Sequence, residues 1–277
     1  MSYKTILAYF ARPDGVQGVM DAALPLAEKF GAHLIGTHVI SGVPVTGTIG
    51  AQVPPEIIEQ YAQHMREDAA AIKVAFSKAI KGAPVQTEWR QPELKVLGAD
   101  ILHLISEQTR CADLVILGQS DAEQRVGELT ADIIIAAGRP VIVVPKNGTA
   151  TNLTGKIVIA WDGSREATRA AFDSLPLLKE AQSVFVVSVQ KRGGKDPVTS
   201  GCGELALSLA RHGAKAEAVV LESSTAAGEA LTKYASDNDC DLIVMGCYGH
   251  SRLRERLFGG ATRHILQNMI LPVLMSH

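Results

Sequence analysis

The chain has almost no excess of charge of either sign: 27 basic residues face 29 acidic ones, a net of −2. A protein that holds nucleic acid through its phosphates needs a basic surplus, so that class is argued against. Cysteine is sparse. Cys111, Cys202, Cys240 and Cys247 form no CxxC pair and no dense framework, which excludes a disulfide-stapled scaffold and suits reduced thiols in a cytoplasmic protein. Long apolar runs are missing as well. The first run, residues 6–10, stops at Ala11-Arg12-Pro13 and reads as a strand, not as an export signal. Nothing approaches the roughly 18 apolar residues of a membrane span. Aromatic residues are few, at 5%, but 47% of the chain is hydrophobic. That is enough for a sizeable core, and 277 residues suit two domains.

What is present is a repeat. Ile6-Leu7-Ala8-Tyr9-Phe10 is matched by Val158-Ile159-Ala160-Trp161-Asp162, an offset of 152. Leu24-Pro25-Leu26 returns as Leu175-Pro176-Leu177, and His38-Val39 as Ser188-Val189. Ala112-Asp113-Leu114-Val115-Ile116-Leu117-Gly118 returns as Cys240-Asp241-Leu242-Ile243-Val244-Met245-Gly246. Pro140-Val141-Ile142-Val143 returns as Pro272-Val273-Leu274-Met275. Order is kept while offsets drift, which is the mark of a duplicated domain. The polar stretch 146–155, KNGTATNLTG, suits a linker. The units are expected at 1–147 and 155–277.

In the second unit, short apolar runs at 156–161, 183–189, 216–221, 241–245 and 272–275 read as buried strands. Helical spacing at 165–178, 203–211, 225–236 and 259–267 separates them. Such alternation predicts an α/β fold, a five-stranded, mostly parallel, doubly wound sheet in each unit. The first unit adds a longer helix over 54–81, in which Ile58, Tyr61, Met65, Ala69 and Ile72 predict a core-facing stripe.

Ligands of such sheets bind beyond the carboxyl ends of the strands, where the winding reverses. After the fourth strand the second unit reads Gly246-x2-Gly249-x9-Gly259-Gly260-Ala261-Thr262. Glycines allow close backbone approach, and the helix start after Gly259 offers unpaired amides to an anion. Arg252, Arg254, Arg256 and Arg263 make this the one locally basic stretch. Together they suggest a phosphate cradle. The G-x-G-x-x-G and G-x-x-x-x-G-K-[ST] fingerprints are absent.

On these residues the second unit resembles the universal stress protein family over essentially its whole length. Nucleotide-binding members of that family carry G-x2-G-x9-G-[S/T] after the fourth strand. Gly246, Gly249 and Gly259 match, and Gly260 stands where Ser or Thr is usual. The resemblance implies ATP or another adenine nucleotide. It places Asp162 after the first strand and Val189 at the end of the second against the adenosine. From the residues themselves, His250 either reaches a phosphate or lies on the surface, Arg252 and its neighbours either contact phosphate or form a solvated face, and the phosphates of a bound nucleotide could carry Mg²⁺. The resemblance further implies that the last strands, 141–144 and 273–275, meet as a pseudo-dimer within one chain, with homodimerisation and a protein partner left open.

The residues also admit plainer roles. Asp162 or Ser164 could cap the helix that follows. His264 reads as structural, Cys247 as a loop thiol, and Cys111 and Cys240 as core. In the first unit, Gly118 and Gly127 are separated by eight residues, and Glu128 follows where the cradle would hold phosphate. Phe10 is read there in place of Asp162. A family-type phosphate pocket is therefore not expected in this unit, which serves as a packing partner or binds something else. No catalytic residue is assigned. The readings are an ATP-binding stress or signalling module, an interaction module without nucleotide, or a slow ATPase in which His250 or Asp162 would act.

Overall fold

The computed structural model describes residues 2–40, 54–94, 101–120, 126–147, 150, 152–191, 201–247 and 260–277. In the first unit the strands are β1 (Thr5–Tyr9), β2 (His33–Thr37), β3 (Thr87–Arg90), β4 (Leu114–Gly118) and β5 (Val141–Val144). In the second they are β6 (Lys156–Ala160), β7 (Ser183–Lys191), β8 (Ala216–Ser223), β9 (Leu242–Gly246) and β10 (Val273–Ser276). All ten lie in one sheet of order β3-β2-β1-β4-β5-β10-β9-β6-β7-β8. Each unit is thus doubly wound in the order 3-2-1-4-5, and the winding reverses between β1 and β4 and between β6 and β9.

Pairing is parallel everywhere except at the centre. There β5 and β10 run antiparallel, with Val143 opposite Val273, Ile142 opposite Leu274 and Val141 opposite Met275. The expected internal pseudo-dimer is therefore present, and its seam is apolar. All six residues are 0% exposed. Alternation sends Ile142 and Leu274 into the core on one face, and the other four into the core on the other.

The helices are α1 (Val16–Phe30), α2 (Pro55–Ala79), α3 (Ile101–Thr109), α4 (Val126–Ala137), α5 (Arg165–Asp173), α6 (Leu175–Glu180), α7 (Cys202–Arg211), α8 (Ala227–Asp237) and α9 (Gly260–Asn268). Among the described residues no helix is long and apolar enough to cross a membrane.

Three expectations need correction. The helix expected over 165–178 is two helices that meet at Ser174, with Pro176 in the first turn of α6. Proline has no amide to continue a helix and suits a first turn. The matching Pro25 lies inside an unbroken α1. The stripe on α2 reaches the core only from Ala69 through Ile72 to Phe76. Tyr61 is 37% exposed, and Ile58 and Met65 are half-buried. Phe76 packs on Phe10 and Trp89, with ring centroids 5.9 and 5.3 Å away. It also lies over Gly36, where an added Cβ would come within 2.6 Å of the ring.

The third concerns the register of the repeat. Ile6 pairs with Leu114, and Ile157 with Leu242. The amide of Phe10 donates to Thr37 O, and that of Trp161 to Val187 O. The Asp113 carboxylate accepts from the Thr5 amide at 3.0 Å, and Asp241 accepts from Lys156 at 2.8 Å. All three pairs place Phe10 opposite Trp161. Ala11, not Phe10, therefore stands at the position of Asp162. The first unit still lacks that carboxylate.

Candidate functional site

In the second unit, β6 and β9 are neighbours with Ala160 level with Met245, so Asp162 and Gly246 leave the sheet side by side. Gly163, at φ +75°, turns the chain into α5. Ser164 is the helix cap, its hydroxyl accepting from the Ala167 amide at 3.1 Å. The Asp162 carboxylate accepts from the Ser164 amide at 2.9 Å. Asp162 is exposed just beyond the end of β6. The capping role falls to Ser164, and Asp162 orients Ser164.

Val189 lies near the end of β7, opposite Leu221 of β8 and half-buried against the core on the α8–α9 face. The same register makes Val39 its counterpart, with His38 opposite Ser188. His38 is buried, its Nδ1 2.7 Å from the Phe10 carbonyl oxygen. Burial holds its pKa below the ordinary range, which favours the neutral ring.

Gly246 has a steric reason to be glycine. The first turn of α5 rests directly on it. A Cβ there would collide with Ala167 N and the Glu166 carbonyl carbon, and would lie 2.9 Å from Glu166 Cβ. Gly260, Ala261 and Thr262 form the first residues of α9. Among the described residues an added Cβ at Gly260 would meet nothing within 4 Å, and Thr262 is buried. Gly249, His250, Arg252 and Gly259 lie outside the described residues, as do Arg254 and Arg256. His264 is half-buried in α9.

The units are tied together beside this helix. The Gln119 side-chain amide donates to the Leu266 carbonyl of α9 at 2.7 Å, and its Oε1 accepts from the Lys146 amide. Sequence reasoning passed over Gln119, because a lone polar residue after a strand carries no signal for a partner 147 positions away.

The thiols fall differently from expectation. Cys247 is fully buried, while Cys111 is the exposed one; Cys240 is buried as expected. Burial is the main cause that pushes the Cys240 thiol up to about 11, and the carboxylates of Asp241 and Asp239 add to it against Lys156. Iodoacetamide at pH ~8 is expected to modify Cys111 in the native protein and the other three only after denaturation, as peptide mass spectrometry would show. The raised Cys240 value has a stability sign. Its contribution is full below the unfolded thiol value of ~8.5 and is lost as pH climbs toward about 11.

These features define a class of protein: two doubly wound five-stranded domains sharing one sheet, each with a crevice where the winding reverses. Residues 154–277 match the model of the universal stress protein family. A universal stress protein of Synechocystis is 24% identical over 292 residues, spanning 98% of this chain and 99% of the relative. A universal stress protein from Archaeoglobus fulgidus has the same fold, with a TM-score of 0.74 at 14% identity over 98% of this chain and 95% of that one. A functionally unknown protein from Pseudomonas aeruginosa follows at 0.59 and 17%, covering 99% and 92%. The second unit thus matches the universal stress protein family, and the whole chain shares the two-domain fold of the Archaeoglobus fulgidus protein.

Proposed function

We propose that the second unit binds ATP or a related adenine nucleotide at the β6–β9 switch point, and that the protein acts as a nucleotide-dependent stress or signalling module. The observation that carries this reading is the meeting of Asp162, Gly246 and β7 at one end of the sheet, where open α/β sheets hold their ligands. Asp162 and Val189 would contact the adenosine. The glycine loop, with His250 and Arg252, would take the phosphates, and the amides of Gly260, Ala261 and Thr262 at the start of α9 would share them. Mg²⁺ would ride on the phosphates. Nucleotide hydrolysis would be incidental.

The test is to purify the chain without added nucleotide, extract it with acid and identify the extract by mass, then titrate ATP calorimetrically. Asp162→Ala is expected to weaken ATP by about tenfold or more, since a charge-assisted contact is worth ~1.5–3 kcal/mol. An empty extract with a flat titration would favour the interaction module instead. Gly260→Ser is expected to tighten ATP by about threefold, because it adds a hydroxyl at an exposed position where the glycine pattern usually carries Ser or Thr.

A further inference from the structure

The helix whose first amides face the proposed phosphate site, α9, is ill suited to hold its own position. It has nine residues, and Thr262 and Ile265 are the buried ones. Isolated helices shorter than about 12 residues are marginal in water, so where α9 sits depends on what holds it from outside. Two holds are visible, one at each end.

At its start, α9 lies against α8 where α8 has Gly228. A Cβ there would come within 3.1 Å of Ala261 O and 3.3 Å of His264 Cβ, so bare backbone of α8 meets the first turn. At its end the hold comes from the other unit. The last four carbonyls of a helix have no partner within it. Leu266 O is one of these, and it accepts from Gln119 Nε2 at 2.7 Å. Gln119 Oε1 accepts from the Lys146 amide at 3.1 Å, and the Gln119 amide donates to Val144 O at 2.7 Å. A side-chain amide with its oxygen on an N–H and its nitrogen on a carbonyl has one orientation, because the flipped form sets donor against donor. Gln119 is therefore locked to the end of β5 on one side and to α9 on the other.

The clamp runs one way. The repeat makes Cys247 the counterpart of Gln119, and Ile134 that of Leu266. The Cys247 amide donates to Ser276 O as the Gln119 amide does to Val144 O, so the two backbones match. The side chains do not. Cys247 carries no amide with which to return the clamp, and a thiol is a weak donor and a weak acceptor.

We propose that Gln119 is a positioning residue for the phosphate end of the nucleotide site in the second unit, and that the first unit, without a phosphate loop of its own, supplies this support. The inference rests on the reading that the start of α9 receives phosphate. With the clamp in place α9 is seated before the ligand arrives. Without it, binding must also seat the helix, and the apparent affinity falls by the fraction that is not already seated. The loss falls on the phosphates. Asp162 follows β6 and Val189 lies in β7, and these strands are held by their pairing in the sheet, not by the clamp.

Calorimetric titration of the full chain with ATP and with adenosine tests this, in the parent, in Gln119→Met and in Gln119→Lys. Met keeps the length of the side chain and loses both of its hydrogen bonds. It is expected to weaken ATP about fivefold, within the worth of one or two hydrogen bonds, and to leave adenosine within about twofold. Lys returns a donor for Leu266 O at the negative end of the helix, and is expected to bring ATP back to within about twofold of the parent. A merely structural role would lower both ligands together. ATP bound by the Met variant as by the parent, an equal loss of ATP and adenosine, or a Lys variant no better than Met would each overturn the proposal. A parent chain that binds no ATP at all would instead remove the nucleotide reading, and this inference with it.

Discussion

Gly246→Ala is expected to destabilise the second unit by about 3 kcal/mol, while Gly118→Ala, the same position in the first copy, costs less than about 1 kcal/mol. Both glycines end a fourth strand. Only at Gly246 does the new methyl meet main chain, at Ala167 and Glu166. Those atoms cannot retreat alone. α5 is held by the Ser164 cap and by Ala167, Ala170 and Ala171, each no more than 2% exposed. Lifting its first turn would strip the cap and open the layer beneath. At Gly118 the neighbour is the end of a Val19 side chain at ordinary contact distance. Chemical denaturation of each variant measures both costs. Equal costs would show that α5 yields as easily as α1. The comparison also limits what the glycine motif can report. Loss of nucleotide on changing Gly246 would follow from a shifted helix as readily as from a lost contact. Gly260, exposed and with no described atom within 4 Å of an added Cβ, is the cleaner probe.

The sheet was legible because its information is coarse. Buried parallel strands are short apolar runs, helices between them fix the alternation, and duplication supplies a second copy of each signal. Register was not legible, for the same reason. In a run such as Ile6-Leu7-Ala8-Tyr9-Phe10, every residue is apolar, so a slip of one costs nothing in pattern. The slip put Phe10 opposite Asp162. Asp113 and Asp241 hold the true register, through carboxylates that accept the amides of Thr5 and Lys156. Both lie in the repeated segments, but a bond across the sheet has no local mark. The break at Ser174 was missed because Pro176 repeats Pro25, and Pro25 sits in an unbroken helix. Identical punctuation had two outcomes, set by how each helix packs.

The site divides in the same way. The strand-end residues Asp162, Val189 and Gly246 follow from topology, so their neighbourhood could be read ahead of any coordinates. The different approach of α1 to Gly118 and of α5 to Gly246 could not, because no motif encodes a distance between a helix and a sheet.

Leu274→Asp is expected to cost more than about 4 kcal/mol and to uncouple the two units. Leu274 is 0% exposed and faces Ile142 across the one antiparallel pairing of the sheet. A carboxylate there would be surrounded by the apolar side chains of the core, so it must either stay protonated or push the strands apart. Parting β10 from β5 would open both faces, since Val273 and Met275 are buried in the opposite core. The two tryptophans make the outcome readable, one in each unit. Trp89 packs with Phe76 in the first, and Trp161 follows β6 in the second. In the parent chain, one core cluster runs from Ile6 through Ile142 and Leu274 to Val184, so both tryptophans should report one coincident transition in urea. With Leu274→Asp, the Trp161 transition should move to lower urea and separate from that of Trp89, using Trp89→Phe and Trp161→Phe backgrounds to isolate each signal. Leu274→Val, at about 1 kcal/mol, should keep the two together. Transitions that already diverge in the parent would mean that the seam joins two independently folding units, and that their shared sheet does not make them cooperative.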